Sequence, residues 1–539
     1  MVNKVVREIL LKRGIPAEKH EAFINPDYNA TKHDPFLLPD MEKAVNRIIQ
    51  AHDNNELVVI YGDYDVDGMC ATAILVEAFK KFGIQVETYT PNRFTEGYGL
   101  NEGAIKEIAK TGAKLIISVD CGSTSKAEIE LAKKLKMDVI VTDHHGLDKN
   151  LPPALAVINP HRADNKYPFK DLAGCGIAFK LVQALQTKLK GLSEGQEKWL
   201  LDLVALGTVC DIVPLLDENR NNVYWGIEVL KKTRRLGLKA LIAVAKIRPS
   251  EIDARKIGFV LGPRLNAAGR LETAEMALEL LMTDDPQMAL ELAQKLEKLN
   301  LDRRIEQDNI FKEALQQSEL DDNVIVLAKE GWNEGVIGIV ASKLIEKYQK
   351  PVFVLSIGKA VKGSGRSFGD FNISEAIVAT KELLISGGGH AMAGGISLLP
   401  EKVDDWRVAI NDYYKKLKLK NQEKFLSITE DVAMTISNID VDFVKELEKL
   451  EPFGIGNEKP IFRLNNMKAK YIDRIGSDKN HLKLTLTDGN SNLKFLAFSP
   501  PEDWFVNQGE KLNVWVNLEI NEWQGNQSVE GRILRLEVA

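Results

Sequence analysis

An α/β fold is predicted: a doubly wound, mostly parallel sheet, joined by a long helix to a second α/β domain, with a C-terminal OB-type β-barrel. Three observations predict it. Up to residue 145, short apolar runs alternate with helix-forming segments at the spacing of βαβ units. An amphipathic stretch from Asp285 to about Ser318 then separates this half from a second alternation of strands and helices. After Phe462 the apolar period changes from helical to two. The boundaries that follow are 1–45 for an N-terminal segment, 46–283 for the first α/β domain, 284–318 for the connecting helix, 319–418 for the second α/β domain, 419–456 for a linker and 457–539 for the barrel.

Residues 1–45 read as a short helix and a loop rich in Pro and Asp, FINPDYNATKHDPFLLPD. Asp40 precedes a helix, Met41–His52, which leads into strand Val58–Tyr61. That strand runs into Asp63, Asp65 and Asp67, before a helix over Ala71–Phe82. Alternation in an extended segment puts all three carboxylates on one side. Carboxylates this close repel one another unless a cation sits among them. Taken alone, a solvated acidic turn explains the stretch equally well. The extended Gln85–Thr90, the loop PNRFTEGYGL and helix Asn101–Thr111 follow. Strand Leu115–Val119 then ends in Asp120, helix Ser125–Leu135 follows, and strand Asp138–Val141 ends in Thr142, Asp143, His144 and His145. In a parallel sheet such strand ends converge on one crevice. Asp211, after the apolar helical run Leu200–Val209, is a fourth contributor.

Six aspartates and two histidines are thus candidates for one site: Asp63, Asp65, Asp67, Asp120, Asp143, Asp211, His144 and His145. Any single one is explained by a helix cap, a turn or a surface pair; the whole set is not. Hard carboxylate oxygens with a minority of imidazoles suit Mn²⁺ or Mg²⁺ better than zinc. The carboxylates exceed the need of one ion. Two ions sharing a bridging carboxylate use them all, an arrangement suited to in-line attack on phosphorus.

Composition narrows the class. The 539 residues are 44% hydrophobic and 27% charged, an ordinary globular balance. A net charge of -6 with a pI near 5.9 argues against a generic basic nucleic-acid coat and leaves room for a local basic groove. The four cysteines form no CxxC pair and read as small core residues. The opening MVNKVVREILLKRG lacks a signal peptide's apolar core, and no run reaches membrane-spanning length. A soluble protein in a reducing, cytoplasmic setting is expected.

DYDVDG, SVDCG, TDHHG and CDIVPL, in this order, resemble the four motifs of the DHH phosphoesterase superfamily, with DHH in full at Asp143, His144 and His145. The superfamily includes manganese pyrophosphatases, oligoribonucleases, cyclic-dinucleotide phosphodiesterases and single-strand exonucleases. Several members carry a histidine upstream of the first aspartates. This chain has Tyr61–Gly62–Asp63 there, as in the RecJ branch, and Asp63 either touches metal directly or orients the residues that do. Gly258–Arg270, GFVLGPRLNAAGR, and Glu451–Phe462, EPFGIGNEKPIF, resemble signatures of the same branch.

The resemblance implies two Mn²⁺ or Mg²⁺ ions held by Asp63, Asp65, Asp67, Asp120, Asp143, His144 and Asp211, with His145 a ligand or a stabiliser of the leaving oxygen. Arg93, Arg264, Asn266 and Arg270 are phosphate candidates, the last three in a segment whose glycines and proline leave backbone open to a ligand; a salt-bridged loop is the other reading. Glycine loops at Gly363–Ser367 and Gly387–Gly395 resemble those of a DHHA1 domain, and Ser364, Arg366, Ser367 and His390 there are further substrate contacts. Residues 402–450 read as a charged helical spacer. Strands at His481–Thr487, Leu493–Phe498, Leu512–Leu518 and Ile533–Val538 suit a barrel that binds single strands, with Trp504, Trp515 and Trp523 as stacking candidates, Trp515 being equally suited to the core.

The function implied is a 5′→3′ exonuclease that degrades single-stranded DNA to 5′-mononucleotides by two-metal hydrolysis, in recombination and repair. Polarity and DNA preference come from the resemblance alone. The expected partners are single-stranded DNA, single-strand-binding protein and a RecQ-type helicase, with no membrane contact and a monomeric state. The alternatives are a short-oligonucleotide or cyclic-dinucleotide phosphodiesterase of the same superfamily, or a non-catalytic single-strand-binding relative.

Overall fold

The computed structural model describes residues 2–417, 419, 428–476, 479–501 and 504–539. Their packing divides into two bodies, Asp34–Asp211 with Gly226–Leu426, and Met1–His33 with Ile212–Trp225 and Ser427–Ala539.

The first body begins with a wholly parallel sheet of order β2-β1-β3-β4-β5: β1 (Val58–Gly62), β2 (Val86–Tyr89), β3 (Leu115–Val119), β4 (Asp138–Thr142) and β5 (Ala156–Ile158). β1 and β3 are buried along their whole length, which is why they read as continuous apolar runs. The three-residue β5 is an addition to the predicted strands. The helix expected at Ala71–Phe82 starts earlier, at Val66, because Asp65 caps it. Asp63, Asp65 and Asp67 therefore do not alternate along one extended segment: Asp67 lies in the first helical turn.

A second difference concerns GFVLGPRLNAAGR. It is a wide turn, Ile257–Leu261, running into helix Gly262–Leu271, not an open loop. Its glycines serve helix packing: a Cβ on Gly262 would lie 2.4 Å from Cys210 Sγ. Helix Pro286–Ala314, capped by Asp285, leads to the second sheet, of order β6-β7-β8-β10-β9. Here β6 (Ile325–Glu330) and β7 (Val352–Ile357) are parallel, and β8 (Val361–Arg366), β9 (Ser386–Gly389) and β10 (Ala393–Leu398) continue antiparallel. The segments read as glycine loops are thus largely strands. Gly363 and Gly365 are small because Leu355 and Phe353 fill the space a Cβ would need, each 2.3 Å from it.

The second body is a closed β-barrel: β11 (Val432–Ala433), β12 (Phe462–Ile475), β13 (His481–Thr487), β14 (Asn492–Ala497), β15 (Lys511–Trp523) and β16 (Asn526–Val538), with β12 closing onto β15. Alternation along β13 buries Leu482, Leu484 and Leu486. Val6, Ile9 and Leu10 of the N-terminal helix Lys4–Lys12, and Phe443 and Leu447 of helix Val441–Glu448, complete that core. The stretch 402–450 is therefore not one helical spacer: helix Val403–Leu417 belongs to the first body, whereas β11 and helix Val441–Glu448 belong to the second. All four cysteines are free, with Cys70, Cys121 and Cys175 buried. Among the described residues no helix is long and apolar enough to cross a membrane.

Candidate metal centre and substrate cleft

Strand register sets the level at which the acids emerge. Gly62 pairs with Val119, and Val119 with Thr142. The next residues, Asp63, Asp120 and Asp143, therefore leave the carboxyl edge of the sheet side by side. Asp120 takes a left-handed backbone, φ 60°, a strained conformation of the kind functional sites retain. Asp65 accepts hydrogen bonds from the N–H groups of Asp67 (2.9 Å) and Gly68 (3.1 Å). Asp67 in turn accepts from the N–H groups of Gly174 (2.6 Å) and Cys175 (3.0 Å), at the positive end of helix Gly174–Gln186. Close approach requires glycine at two points: a Cβ on Gly174 would lie 2.7 Å from Asp120 Cβ, and one on Gly207 2.5 Å from Asp67 Oδ1. Asp211 ends helix Leu201–Cys210.

Among the described residues, three sets of side chains offer ligand atoms within 4.8 Å of one another: Asp63, Asp65 and Asp120; Asp67, His144 and Asp211; Asp120, His144 and His145. His144 Nε2 lies 3.0 Å from Asp120 Oδ1, 3.4 Å from Asp211 Oδ2 and 4.0 Å from Asp67 Oδ2. Burial, then neighbouring carboxylates, hold Asp63, Asp120 and Asp211 well above the usual carboxylate range and push Asp67 up to about 6. Burial, then His145, pushes His144 down to about 4. Asp63 Oδ1 and Asp211 Oδ2 are buried with no hydrogen-bond partner among the described residues. Orphaned carboxylate oxygens beside a neutral imidazole fit a hard divalent cation such as Mn²⁺ or Mg²⁺.

Asp143 stands apart from these sets. Its oxygens accept from the N–H groups of Ser123 (2.9 Å), His144 (2.8 Å) and His145 (3.1 Å) and lie 2.8 Å from His145 Nδ1. Burial opposes its charge, but the His145 contact and these amides outweigh burial and hold the carboxyl below its ordinary value. His145 moves the opposite way: burial lowers it, and the contact with Asp143 more than offsets that.

A cleft of about 830 Å³ opens beside this cluster, lined by Tyr64, Arg93 and Tyr98 on one side and by Ser364, Arg366 and the Gly387–Gly388 edge on the other. The Arg93 guanidinium lies 4.2 Å over the Tyr64 ring, and its Nε is buried with no hydrogen-bond partner among the described residues. Arg366 donates to Ser364 Oγ at 3.1 Å, and Arg270 to the Gly335 carbonyl at 3.0 Å. Burial, then Arg93, Arg303 and Arg366, pushes Arg270 down to about 9. The guanidinium keeps its charge, so the depression measures its burial first and the crowding second, and an anion relieves the crowding. The His390 ring stacks 6.1 Å from His145.

The cleft does not gather every expected residue. Arg264 is ion-paired with Glu297 and donates to the Val260 carbonyl, so it reads as a structural link between helices. Asn266 is half-buried on the same helix. Ser367 is buried, its hydroxyl given to the Phe371 carbonyl. Sequence reasoning passed over Tyr98, whose hydroxyl donates to the Asp120 carbonyl (3.1 Å) and lies 3.0 Å from His145 Nδ1. Its place beside Arg93 in PNRFTEGYGL was the available signal. Arg303, buried in the middle of the long helix, gave none. In the barrel, Trp515 is buried between Arg463 and Arg535 and Trp504 packs against the core, whereas Trp523 is exposed at the β15–β16 turn.

Three family models match the chain: the DHH family, N-terminal domain, over residues 57–208; the DHHA1 domain over 321–416; and the RecJ OB domain over 430–534. The single-stranded-DNA-specific exonuclease RecJ of Bacillus subtilis is 39% identical, over 98% of this chain and 67% of that protein. The protein of the same name from Dickeya dadantii is 34% identical, over 92% of this chain and 89% of its own. A crystal structure of RecJ in complex with Mn²⁺ from Thermus thermophilus superposes with a TM-score of 0.84 at 28% identity, covering 100% of this chain and 76% of that one.

Proposed function

This chain belongs to the RecJ family, and from that premise we propose that it is a metal-dependent exonuclease that degrades single-stranded DNA from the 5′ end, releasing 5′-mononucleotides. One observation carries the reading: buried carboxylates with orphaned oxygens stand beside a cleft lined by Arg93 and Arg366. Carboxylates alone suit a cation store, and arginines alone an anion site. Together they suit hydrolysis of a phosphodiester.

Bound Mn²⁺ or Mg²⁺ supplies Lewis acidity that lowers the pKa of a water and offsets charge on the phosphoryl oxygens. Asp63, Asp65 and Asp120 would hold one ion, and Asp67, His144 and Asp211 the other, with Asp120 and His144 near both. Arg93, Arg270 and Arg366 bind the strand's phosphates, and Ser364 orients Arg366. Water attacks the first internucleotide phosphorus in line, the P–O3′ bond breaks, and the new terminal phosphate stays on the shortened strand. His145 has Nδ1 beside Asp143, which favours its protonated form, so Nε2 is free to protonate the leaving 3′-oxygen. His390 flanks that histidine, and the barrel holds the strand, with Trp523 as its exposed stacking residue.

A role in recombination and repair, a monomeric state, a cytoplasmic setting, and work alongside single-strand-binding protein and a RecQ-type helicase belong to this proposal. Family membership is their support. The decisive experiment digests 5′-labelled and 3′-labelled single strands, duplex and RNA with Mn²⁺ present. Early release of labelled mononucleotide from 5′-labelled single-stranded DNA is expected. Early release from the 3′-labelled strand would reverse the polarity, and equal cleavage of RNA would broaden the substrate.

A further inference from the structure

The loop between β2 and helix Glu102–Lys110 touches three of the four acidic segments at once. Arg93 lies over Tyr64, beside Asp63 and Asp65. Tyr98, five residues on, reaches the carbonyl of Asp120, the residue with the strained backbone, and His145 Nδ1. Both side chains line the cleft. Nothing in their own chemistry fixes their spacing, since they sit in a segment with no regular structure between residues 91 and 101. Gly97 (φ 80°) and Gly99 (φ 85°) bracket Tyr98 in conformations that strain any other residue.

Glu96 supplies what the loop lacks. Its Oε2 accepts from the Asn92 N–H at 2.7 Å, closing the turn that carries Arg93. Its Oε1 accepts from the Tyr89 hydroxyl at 2.7 Å and from Asn101 Nδ2 at 3.0 Å, tying that turn to β2 and to the cap of the next helix. Asn101 also donates to the Tyr61 hydroxyl at 3.1 Å, and Tyr61 donates to the Gly99 carbonyl at 2.9 Å. Tyr61 stacks on Tyr89, with ring centroids 5.2 Å apart. The tyrosine that stands where several superfamily members carry a histidine therefore points at the loop's anchor. We propose that Glu96 is a positioning residue: with Tyr61, Tyr89 and Asn101 it holds the 91–100 loop so that Arg93 meets the strand's phosphate while Tyr98 orients His145 and props Asp120. One carboxylate thus serves both the binding end and the metal end of the cleft. The proposal rests on the exonuclease reading for its purpose and on the loop geometry for its substance.

Two assays on the full chain need no turnover. One follows binding of a 5′-phosphorylated single strand in EDTA by fluorescence anisotropy; the other follows Mn²⁺ binding by titration calorimetry. Glu96→Ala is expected to weaken both, each by about tenfold. Arg93→Ala should weaken strand binding alone, and Tyr98→Phe Mn²⁺ binding alone. Adding Glu96→Ala to Arg93→Ala should cost little further strand affinity, and adding it to Tyr98→Phe little further Mn²⁺ affinity, because each pair acts as a unit. Glu96→Gln keeps one acceptor oxygen and sets an NH2 against a donor at the other, so it should recover only part of both losses. If Glu96→Ala melts near room temperature, Tyr89→Phe takes its place, with a loss of roughly threefold in both assays for one hydrogen bond. Wild-type values in both assays, or losses that add in full to those of Arg93→Ala and Tyr98→Phe, would overturn the proposal. Whether the unmodified chain digests single strands judges the activity reading separately.

Discussion

At the sheet end of the cleft, Asp63, Asp67, Asp120 and Asp211 crowd negative charge that burial makes costly. At the other end, Arg93, Arg270 and Arg366 crowd positive charge, and Arg270 feels it most. Both ends are strained in the same sense, and the strain is relieved by opposite partners, a divalent cation in one case and a phosphate in the other. They differ in how they are held. The carboxylates sit on strand ends and helix caps, and Asp65 and Asp67 are pinned by backbone N–H groups. The arginines come on long side chains that bond carbonyls or a serine hydroxyl, and Arg93 Nε has no hydrogen-bond partner among the described residues. Chemistry that tolerates little misplacement has the rigid end, and a substrate that must slide by one nucleotide per cycle has the adjustable one.

The largest test of that contrast is Asp120→Asn. Asparagine tolerates the left-handed backbone, so the substitution removes charge without removing the fold. Mn²⁺-supported digestion should fall on the order of 10²–10³-fold. The metal-free chain should melt no lower than the unmodified one, because a repelling carboxylate has gone. A variant that digests at a tenth of the normal rate would show that the acids are not the catalytic end.

Arg93→Ala and Arg366→Ala come next. Each removes a charge-assisted contact to phosphate, so KM for a 5′-phosphorylated strand should rise roughly 10–100-fold, with kcat much less changed. Titration of Mn²⁺ should be unaffected by Arg366→Ala. A matching fall in kcat would mean that the two ends are not separable.

Proton concentration should split the ends with no mutation. Asp67 is pushed up to about 6, so it must lose a proton to hold an ion below that pH. Mn²⁺ affinity should therefore weaken as pH falls through about 6, by at least about tenfold per unit, since Asp63, Asp120 and Asp211 are held high as well and add protons of their own. His144, pushed down to about 4, stays neutral over that window and adds little. Strand binding in EDTA should change far less over the same range and in the opposite sense, tightening slightly as the neighbouring acids take up protons, since the guanidinium groups that hold the phosphates do not titrate there. The check is calorimetry for the metal and anisotropy for the strand, at several pH values between about 5 and about 7.5.

The same contrast explains what the sequence revealed. The acids were legible because each follows an apolar strand or helix within a few residues, and parallel register then brings the strand-end ones level. The position of Asp67 was misjudged because the cap made by Asp65 starts the helix at Val66, before its apolar face becomes obvious at Ala71. The arginines were legible one at a time, and their grouping was not, since Arg93, Arg270, Arg303 and Arg366 come from four distant elements. The glycines near Gly363 carry a second role that composition does not reveal: beside Phe353 and Leu355 they make room for core side chains, while Gly363 also lines the cleft. In the barrel, β15 runs past the expected Leu518 to Trp523: Ile520 keeps the apolar alternation, and Glu522 and the exposed Trp523 break it where the strand leaves the core.

Arg264 is where the smallest effect decides the most. As a sequence it belongs with Arg270, in a segment resembling a family signature. In the fold the two part company: Arg270 reaches the Gly335 carbonyl near Arg93 and Arg366, whereas Arg264 pairs with Glu297 of the long helix and with the Val260 carbonyl. Glu297 is partly open to water, so that pair is worth about 1 kcal/mol, which corresponds to a melting temperature lower by about 2 °C in Arg264→Ala. KM and kcat should stay within about twofold of normal, since a structural pair remote from the phosphate changes neither state of the reaction. A rise in KM comparable to that of Arg366→Ala would mean that Arg264 leaves Glu297 when the strand arrives, and the adjustable end of the cleft would then extend nearly two helix turns further than the resting structure places it.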